Sequence, residues 1–404
     1  MSDANPDTSL PRRILEVLRT SLGLGLTSFG GPVAHLGYYR EAYIVRRRWL
    51  DERAFADLVA LCQFLPGPAS SQIGIGIGVA RAGLWGGVAA WLGFTLPSAA
   101  MMIACAYGVT ALAGSLPHGL LQGLKIVAVA VVAQAVWGMA RSLAPDRPRG
   151  TLAVLAAGAV SLWPGVAAQI GAIAVGGLAG WALLREAPAP DGAHTPWGGM
   201  SRRLGAVFLA LFALSLVLLP FAELAWPGTA AAVANRFFRV GSLVFGGGHV
   251  VLPLLQEVVV SPGWVDRETF LAGYGAAQAV PGPLLTFSAY LGAVLQAPDA
   301  GPPWALGLLA LGAIFAPSFL LVYGALPFWD TVRRWAAAQA ALRGINAVVV
   351  GILAAALYDP VWTAGVRAPL EFALALAALA LLVLWKLPPW LVVMLSGAAG
   401  ALVL

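Results

Sequence analysis

Residues 63–68 read QFLPGP, and residues 278–283 read QAVPGP 215 positions later. The same order recurs in two further pairs of segments: Trp49-Leu50-Asp51-Glu52 with Trp264-Val265-Asp266-Arg267, and Phe29-Gly30-Gly31-Pro32 with Phe245-Gly246-Gly247-Gly248. Agreement in both order and spacing predicts that the chain consists of two related halves. The alternative is that two membrane stretches rich in glycine and proline agree through composition alone.

The repeat divides the chain into four parts. We predict a cytoplasmic N-terminal tail over residues 1–13 and a first repeat over residues 14–184. A linker with one extra transmembrane helix follows over residues 185–229, and a second repeat occupies residues 230–404. Because the linker adds a single crossing, it is expected to turn the second repeat upside down in the membrane.

Composition indicates the class of protein. Of the 404 residues, 60% are hydrophobic and only 10% are charged, and the mean hydropathy is +0.83. Soluble domains carry about 25% charged residues, so this chain is expected to be solvated mainly by lipid. We predict an all-α polytopic membrane protein with two inverted-topology repeats and broken-helix hairpins. The net charge of +6 falls in short loop clusters rather than in a nucleic-acid footprint.

Loop charge predicts the orientation. Five arginines lie within residues 39–53, which the positive-inside rule places in the cytoplasm. The corresponding stretch of the second half, residues 257–268, is acidic and is therefore expected outside. This arrangement predicts a cytoplasmic N-terminus and an external C-terminus. Loop charge does not separate re-entrant hairpins from full crossings.

Glycine and proline interrupt the apolar runs at four places: Gly30-Gly31-Pro32, Pro66-Gly67-Pro68, Gly246-Gly247-Gly248 and Pro281-Gly282-Pro283. Non-helical backbone at membrane depth has to be buried in protein or line a cavity. A break followed by proline suits a new helix N-terminus, whose unpaired N–H groups attract anions. In many transporters with inverted repeats such helix ends meet near the membrane midplane. The pattern predicts an anion site, whereas a single Pro-Gly pair would indicate only a kink.

Polar side chains flank these breaks. Hydroxyl groups follow each Pro-Gly-Pro and could donate to oxyanion oxygens, and a glutamine three residues before each could cap a half-helix or bind substrate. A lysine within an apolar run could reach the outer surface or aid the passage of the anion. The predicted substrate-binding residues, besides the four breaks, are Phe29, Gln63, Ser70, Ser71, Lys125, Phe245, Gln278, Thr286 and Ser288. His35 and His249 are interpreted as packing residues, with a proton role as the alternative.

With these motifs in place, the sequence resembles the chromate ion transporter (CHR) family in its long two-domain form. The resemblance covers nearly the whole chain and lies in the order of the paired motifs. It implies chromate export and chromate resistance in bacteria, location in the cytoplasmic (inner) membrane, and halves that lie antiparallel. The second half has Gly248 where the first has Pro32, an asymmetry that the resemblance accommodates. Because sulfate is nearly isosteric with chromate, the resemblance does not by itself decide the anion.

The residues and the resemblance together predict a secondary transporter that exports chromate or a similar tetrahedral divalent oxyanion. The alternatives are a sulfate carrier or anion channel of the same architecture, or a lipid flippase. An enzyme is not predicted, because the two cysteines and four histidines form no nucleophile, metal or cofactor pattern. The expected partners are the oxyanion and the lipid bilayer, with no nucleic acid, no metal and no cofactor, and the chain could form a homodimer.

Overall fold

The computed structural model describes residues 9–29, 31–111, 118–163, 165–185, 200–245, 248–296, 301–332 and 335–404. Every regular element in these ranges is helical, so the predicted all-α membrane class is confirmed. Helices satisfy their backbone hydrogen bonds within one segment, as lipid requires. Three residues of the predicted breaks, Gly30, Gly246 and Gly247, lie outside the described residues.

The first half and the linker form the helices α1 to α8. Their bounds are α1 Leu10–Thr27, α2 Gly31–Tyr39, α3 Glu52–Phe64, α4 Ala69–Ala111, α5 His118–Leu143, α6 Arg147–Leu162, α7 Val166–Leu183 and α8 Arg202–Ala225, with a π-helical turn at Arg40–Arg46. Helix α8 corresponds to the extra apolar segment of the linker. Only 6% of its most apolar window is buried, against 56% for α5, so α8 is the more peripheral helix, with a largely lipid-facing surface.

The second half forms the helices α9 to α18. Their bounds are α9 Thr229–Leu243, α10 Val251–Val259, α11 Arg267–Ala277, α12 Phe287–Val294, α13 Pro303–Ala325, α14 Trp329–Val332, α15 Ala336–Ala356, α16 Thr363–Gly365, α17 Pro369–Val383 and α18 Pro389–Val403. Short 3-10 turns occupy Gly248–Val250, Leu284–Thr286 and Leu326–Phe328, and a π-helical turn occupies Leu357–Trp362.

Within the described ranges, five helical segments are long and apolar enough to cross a membrane. They are Ala69–Ala111, Gly119–Leu143, Arg202–Ala225, Pro303–Phe328 and Ala336–Gly365. Four shorter apolar segments, Ala167–Leu183, Leu284–Val294, Pro369–Val383 and Pro389–Val403, accompany them. A transmembrane helix needs about 20 apolar residues, so the long segments make this a multi-pass membrane protein.

Aspartates that recur in the sequence begin the corresponding helices of the two halves. The Asp51 carboxylate accepts a hydrogen bond from the Ala54 N–H at the start of α3, and the Asp266 carboxylate accepts one from the Thr269 N–H at the start of α11. Such caps satisfy an N–H group that the first helical turn leaves free. Asp146 caps α6 in the same way, and its hydrogen bonds with Arg149 lower the pKa of the Asp146 carboxyl.

The predicted interruptions are real ends of helices. Helix α3 ends at Phe64 and α4 begins at Ala69, so the first Pro-Gly-Pro lies between two helices. Gly67 has a φ of +128° and Gly282, in the second Pro-Gly-Pro, a φ of +99°. Residues with side chains rarely adopt such backbone angles. Helix α4 also kinks at Ala82 and Gly83, where the φ of Gly83 is +65°.

Helices of each half pack against helices of the other half. Helix α5 of the first half packs against α17 and α18 of the second, and α15 of the second half packs against α6 and α7 of the first. Glycines permit both contacts: a Cβ on Gly123 would meet the Ser396 carbonyl oxygen, and a Cβ on Gly344 would meet the Gly176 carbonyl oxygen. Gly123 and Gly344 occupy corresponding positions in the repeat. An approximate two-fold relation between the halves would produce this reciprocity, and the inverted orientation itself stays a prediction.

The hydrophobic cores also combine both halves. One cluster contains Phe55, Leu58 and Phe94 together with Leu321 and Trp329. A second cluster sets Met102 and Ile126 of the first half among buried residues of α9 to α13. Side chains from the two halves therefore share their cores, and neither half buries its apolar surface alone.

Candidate anion site

Two backbone hydrogen bonds join the breaks of one half to those of the other. The Gly67 N–H donates to the Val244 carbonyl oxygen over 2.6 Å, and the Gly282 N–H donates to the Ser28 carbonyl oxygen over 2.9 Å. Val244 and Ser28 occupy corresponding positions, because each directly precedes the Phe-Gly-Gly of its half. Each Pro-Gly-Pro turn therefore contacts the residue that directly precedes the Phe-Gly-Gly of the opposite half, which gives two crossed contacts.

These two bonds determine which N–H groups remain for a ligand. The glycine N–H groups are occupied, whereas the start of α4 has free donors. The first α-helical bond at this end runs from the Gln72 N–H to the Pro68 carbonyl oxygen over 3.0 Å. The N–H groups of Ala69, Ser70 and Ser71 therefore stand outside the helical ladder and carry the positive end of the helix dipole.

A serine from the opposite half lies against the first Pro-Gly-Pro. Ser318, on α13, is fully buried, and its Oγ has no hydrogen-bond partner among the described residues. A Cβ on Gly67 would lie 2.8 Å from this oxygen. The Oγ of Ser71 is also buried and has no partner in the described chain. Leaving a buried polar group unpaired is unfavourable by about 1–3 kcal/mol, so each hydroxyl is a candidate donor to a ligand.

The second Pro-Gly-Pro is arranged differently. Ser98 lies against it, since a Cβ on Gly282 would be 2.8 Å from the Ser98 Oγ, but this hydroxyl donates to the Thr95 carbonyl oxygen over 2.9 Å. Thr286 Oγ1 donates to the Pro283 carbonyl oxygen and Ser288 Oγ to the Leu285 carbonyl oxygen, over 2.8 and 2.7 Å. These three hydroxyl hydrogens are used within the protein, whereas those of Ser71 and Ser318 at the first turn have no acceptor among the described residues.

A cavity of about 940 Å³ adjoins the first Pro-Gly-Pro. Four of the predicted site residues line it: Phe29, Gln63, Gly67 and Ser70. Further polar lining comes from Gln134 and Ser142 of α5 and from the second half, which supplies His249, Asn346 and Lys386. Among the described lining residues none is Asp or Glu. The cavity therefore joins both halves and presents donors without a fixed negative charge.

Other predicted site residues lie outside the lining of this cavity. They are Gly31, Pro66, Pro68, Ser71, Lys125, Phe245, Gln278, Pro281, Gly282, Pro283, Thr286 and Ser288. For Pro32 and Gly248 the structure describes only the backbone. The two glutamines, which the repeat makes equivalent, thus differ: Gln63 is exposed to the cavity, and the Gln278 Nε2 is buried with no partner in the described chain. Substrate contact by either glutamine stays a prediction.

Lys125 is engaged in an ion pair. The residue is only 4% exposed, and its Nζ lies 3.4 Å from the Glu268 Oε1 at the start of α11. The Glu268 side chain is 61% exposed and also lies 3.8 Å from an Arg367 guanidinium nitrogen. This geometry is that of a lysine that extends its ammonium group from a buried stem toward a surface carboxylate. Its part in substrate passage stays a prediction.

The two histidines that follow the breaks have different surroundings. The His249 Nδ1 lies 2.8 Å from the Tyr274 hydroxyl, and which of the two donates depends on the tautomer. His249 lines the cavity, whereas the His35 ring is buried and meets the Phe94 ring edge-on at 5.1 Å between centroids. Within the described ranges no three His, Cys, Asp or Glu residues are grouped as metal ligands would be.

Three residues that the geometry singles out were absent from the predicted site: Ser318, Asn346 and Lys386. Ser318 is visible in sequence, because Ala316-Pro317-Ser318 corresponds to Leu96-Pro97-Ser98 in the repeat. Asn346 corresponds to Lys125 in the repeat, and Lys386 follows the apolar run that forms α17. Neither hydropathy nor spacing indicates that Asn346 and Lys386 line one cavity with residues of the first half, or that Ser318 packs against Gly67 outside its lining.

Comparison with known proteins gives a consistent result. A family model described as chromate transporter matches residues 15–181 and 231–401. A chromate transport protein of Pseudomonas aeruginosa is 29% identical, with 98% of this chain and 93% of that protein covered. A chromate transport protein of Cupriavidus metallidurans is 23% identical over 94% of this chain and 90% of its own length. An uncharacterized transporter of Methanocaldococcus jannaschii is 24% identical, covering 84% and 83%. No solved structure matches the chain significantly.

Proposed function

The chain belongs to the chromate transporter family, and we propose that it is a secondary transporter that exports chromate or a similar tetrahedral divalent oxyanion. The observation that carries the proposal is the cavity beside the first Pro-Gly-Pro. Its described lining combines Gln63, Ser70 and Lys386 and contains no carboxylate. An anion binds where donors and positive ends of dipoles converge, and a carboxylate in the same space would repel it.

The binding step uses the first turn of α4. The N–H groups of Ser70 and Ser71 point along the start of this helix, where the dipole is equivalent to about half a positive charge. The Ser71 and Ser318 hydroxyls are buried and have no hydrogen-bond acceptor among the described residues. Hydrogen bonds to an ionised acceptor are about twice as strong as neutral ones. Donors around a tetrahedral anion also select for its shape, because each oxygen has to meet one of them.

The transport step would use the relation between the two repeats. Residues 14–184 and 230–404 are proposed as inverted repeats joined by the linker at 185–229, and the two separate segments matched by the family model support this division. The crossed bonds at Gly67 and Gly282 tie the Pro-Gly-Pro turn of each half to the other half. They supply a central contact about which the halves could rock, as in other transporters built from inverted repeats.

The membrane potential supports the proposed direction. Moving one charge through 100 mV is worth about 2.3 kcal/mol, so a dianion that leaves a negative interior gains about 4.6 kcal/mol. This energy sustains a concentration ratio above about a thousand. The sequence contains no G-x-x-x-x-G-K-[ST] nucleotide-binding loop, and export of this kind needs none. The proposed location is the cytoplasmic membrane of a bacterium.

Transport into inside-out membrane vesicles tests the proposal. With a lumen-positive potential, vesicles that contain the protein should accumulate labelled chromate, and collapse of the potential should abolish the accumulation. Unlabelled sulfate should compete, because it offers the same charge and shape, and its advantage should grow as the pH falls and chromate becomes protonated. Vesicles without the protein are the control.

Each other outcome has a definite meaning. Accumulation of sulfate without chromate would make the protein a sulfate carrier. Flux that follows the gradient in both directions at channel rates would make it an anion channel. Lipid movement with neither anion transported would favour a flippase and contradict the proposal.

A further inference from the structure

The cavity beside α4 contains a single fixed charge in its described lining. Lys386 is its one ionised side chain among the Lys, Arg, Asp and Glu residues, and the other polar lining residues are neutral amides, hydroxyls and one histidine. Lys386 is exposed and lies in the turn between α17 and α18, at one end of helices that line the cavity. Ser142, at the end of α5, lines the cavity as well. By the loop charges both residues adjoin the cytoplasm.

The backbone at Lys386 adopts a conformation that suits glycine better than lysine. Its φ is +52°, in the left-handed region that residues with a Cβ seldom occupy. The turn around it joins α17 to α18 and is held by the Leu387 N–H, which donates to the Leu381 carbonyl oxygen over 3.0 Å. Pro388 and Pro389 then begin α18. The restrained left-handed backbone therefore carries a long, positively charged side chain instead of the glycine that this conformation favours. Backbone outliers of this kind often occur at functional positions.

Among the described residues, no carboxylate neutralises the charge of Lys386. No carboxylate of the described residues lies within 4.0 Å of its ammonium group, whereas Arg40, Arg46 and Arg81 of the first half each pair with a glutamate. An unpaired cation at the mouth of a cavity with apolar walls concentrates anions there, because the field is focused into the opening. Lys125, in contrast, pairs with Glu268 and does not line the cavity.

We propose that Lys386 is the capture residue of the transporter: a superficial binding site where an incoming tetrahedral oxyanion first meets the protein, ahead of the start of α4. This inference rests on the proposed function and adds a second anion position to it. From Lys386 the anion would move along a neutral polar lining that includes Gln134, Asn346 and Gln63 to Ser70. The neutral lining is important because a second fixed cation would hold the anion and slow its release.

A lysine that ends a cytoplasmic helix could instead serve only to set the topology. The two roles predict different kinetics. A capture residue changes the rate at which anions arrive, so its loss raises the apparent KM and leaves kcat unchanged. The effect should weaken with salt, because the Debye length falls from about 30 Å at 0.01 M to about 8 Å at 0.15 M ionic strength. A topological residue changes the amount of correctly inserted protein and has no effect on KM.

The first experiment measures initial rates of chromate transport into inside-out vesicles at these two ionic strengths. Lys386→Gln should raise the KM about three- to tenfold at the lower ionic strength and much less at the higher one. Lys386→Arg should behave like the wild type, and Lys386→Glu should raise the KM further. The matched control is Arg203→Gln. Arg203 is also an exposed cation that adjoins the cytoplasm by the loop charges, but it lies on α8 and outside the cavity lining.

A second measurement does not depend on transport. The chain has only two lysines, and Lys125 is buried, so an amine-acylating reagent should label Lys386 selectively among the lysine side chains. Labelling of the purified intact protein, read by mass spectrometry, should slow in sulfate or chromate relative to chloride at equal ionic strength. This protection should persist in Ser318→Ala, because that change lies at the inner site.

The outcomes separate the two proposals. Transport of chromate with an unchanged KM in Lys386→Gln at low ionic strength, or an equal rise in Arg203→Gln, overturns the capture role and leaves the proposed function in place. Protection of Lys386 by sulfate in a protein that transports neither anion supports an anion site and overturns the proposed transport. If the protein transports chromate but shows no protection of Lys386 and no KM shift in Lys386→Gln, the inference is overturned.

Discussion

Gly67 combines an unusual backbone with a crowded position. Its φ is +128°, and a Cβ would meet the Gln72 side chain and the Ser318 Oγ. Gly282 repeats both properties, with a φ of +99° and the Ser98 Oγ in the corresponding place. Because the Pro-Gly-Pro turns also donate the hydrogen bonds between the halves, a side chain at either glycine should disturb both the turn and the contact.

We therefore expect Gly67→Ala and Gly282→Ala each to lower the free energy of unfolding by about 1–3 kcal/mol, because a residue with a Cβ is strained in this backbone conformation. Thermal unfolding in detergent measures the change. Gly37→Ala is the control, because Gly37 lies in helix α2 and a Cβ there has open space. Unchanged stability in both variants would show that the turns relax easily.

The larger change Gly67→Leu adds bulk directly at the start of α4. We expect it to abolish most transport while detectable protein remains in the membrane. Complete disappearance of the protein in this variant and in Gly282→Leu would instead make these glycines packing residues.

Substitution of Ser318 should separate an effect on anion binding from an effect on protein stability. Ser318→Ala removes a buried hydroxyl that has no partner in the described chain, so stability should hold or rise by up to about 1 kcal/mol. If the hydroxyl binds the anion, the KM for chromate should rise roughly ten- to a hundredfold, because a hydrogen bond to a charged group contributes about 1.5–3 kcal/mol. Ser98→Ala is the matched control, because its hydroxyl already donates to the Thr95 carbonyl oxygen. Equal KM changes in both variants would contradict the assignment.

Among the elements, α5 and α11 are joined by an ion pair with one buried partner. Lys125 is only 4% exposed, whereas the side chain of its partner Glu268 is 61% exposed. Loss of the carboxylate leaves the ammonium group without its nearest counter-charge, and a buried unpaired charge is unfavourable. The contact with Arg367 places α17 and its preceding loop near the same carboxylate.

Glu268→Gln should accordingly lower stability by about 1–3 kcal/mol, less than for a fully buried pair because Glu268 is exposed to water. Urea or thermal unfolding of the purified protein measures it. Glu52→Gln is the matched control: it breaks the pair between Arg40 and Glu52, whose side chains are 55% and 57% exposed, and should have no measurable effect. An equal loss of stability in both variants would show that solvent exposure does not determine how much these ion pairs contribute to stability.

For the whole molecule, the orientation of the two halves is the decisive question. The exchange of α5 and α15 between halves and the crossed bonds at the breaks are reciprocal. Such reciprocity is compatible with inverted repeats, but contacts inside the protein carry no information about which surface faces the cytoplasm. Only the loop charges bear on that.

Single cysteines should settle the orientation. With Cys62 and Cys105 replaced by alanine, Val45→Cys should react with an impermeant thiol reagent only from the cytoplasmic side. Ser261→Cys should react only from outside. Both positions are exposed, so access is limited by the membrane alone. Labelling of both from one side would overturn the inverted arrangement, and protein solubilised in detergent, where both should react, is the control.

The sequence by itself determined the membrane class, the helical fold and the positions of the breaks. These properties are local: apolar runs partition into lipid, proline and glycine end helices, and aspartates such as Asp51 and Asp266 cap the helices that follow. The internal repeat and the resemblance to the family also need only the order of residues.

Only the tertiary structure decided which polar groups are free to act. The Gly67 N–H is bonded to Val244, a residue far away in the sequence and in the other half, so the donors that remain are those of the first turn of α4. Lys125 and Lys386 look alike as isolated cations in apolar surroundings, yet one pairs with Glu268 and the other lines the cavity. Hydropathy and spacing report what a residue is next to along the chain. Pairing, burial and access to a cavity depend on contacts between the two halves, which exist only once they have packed together.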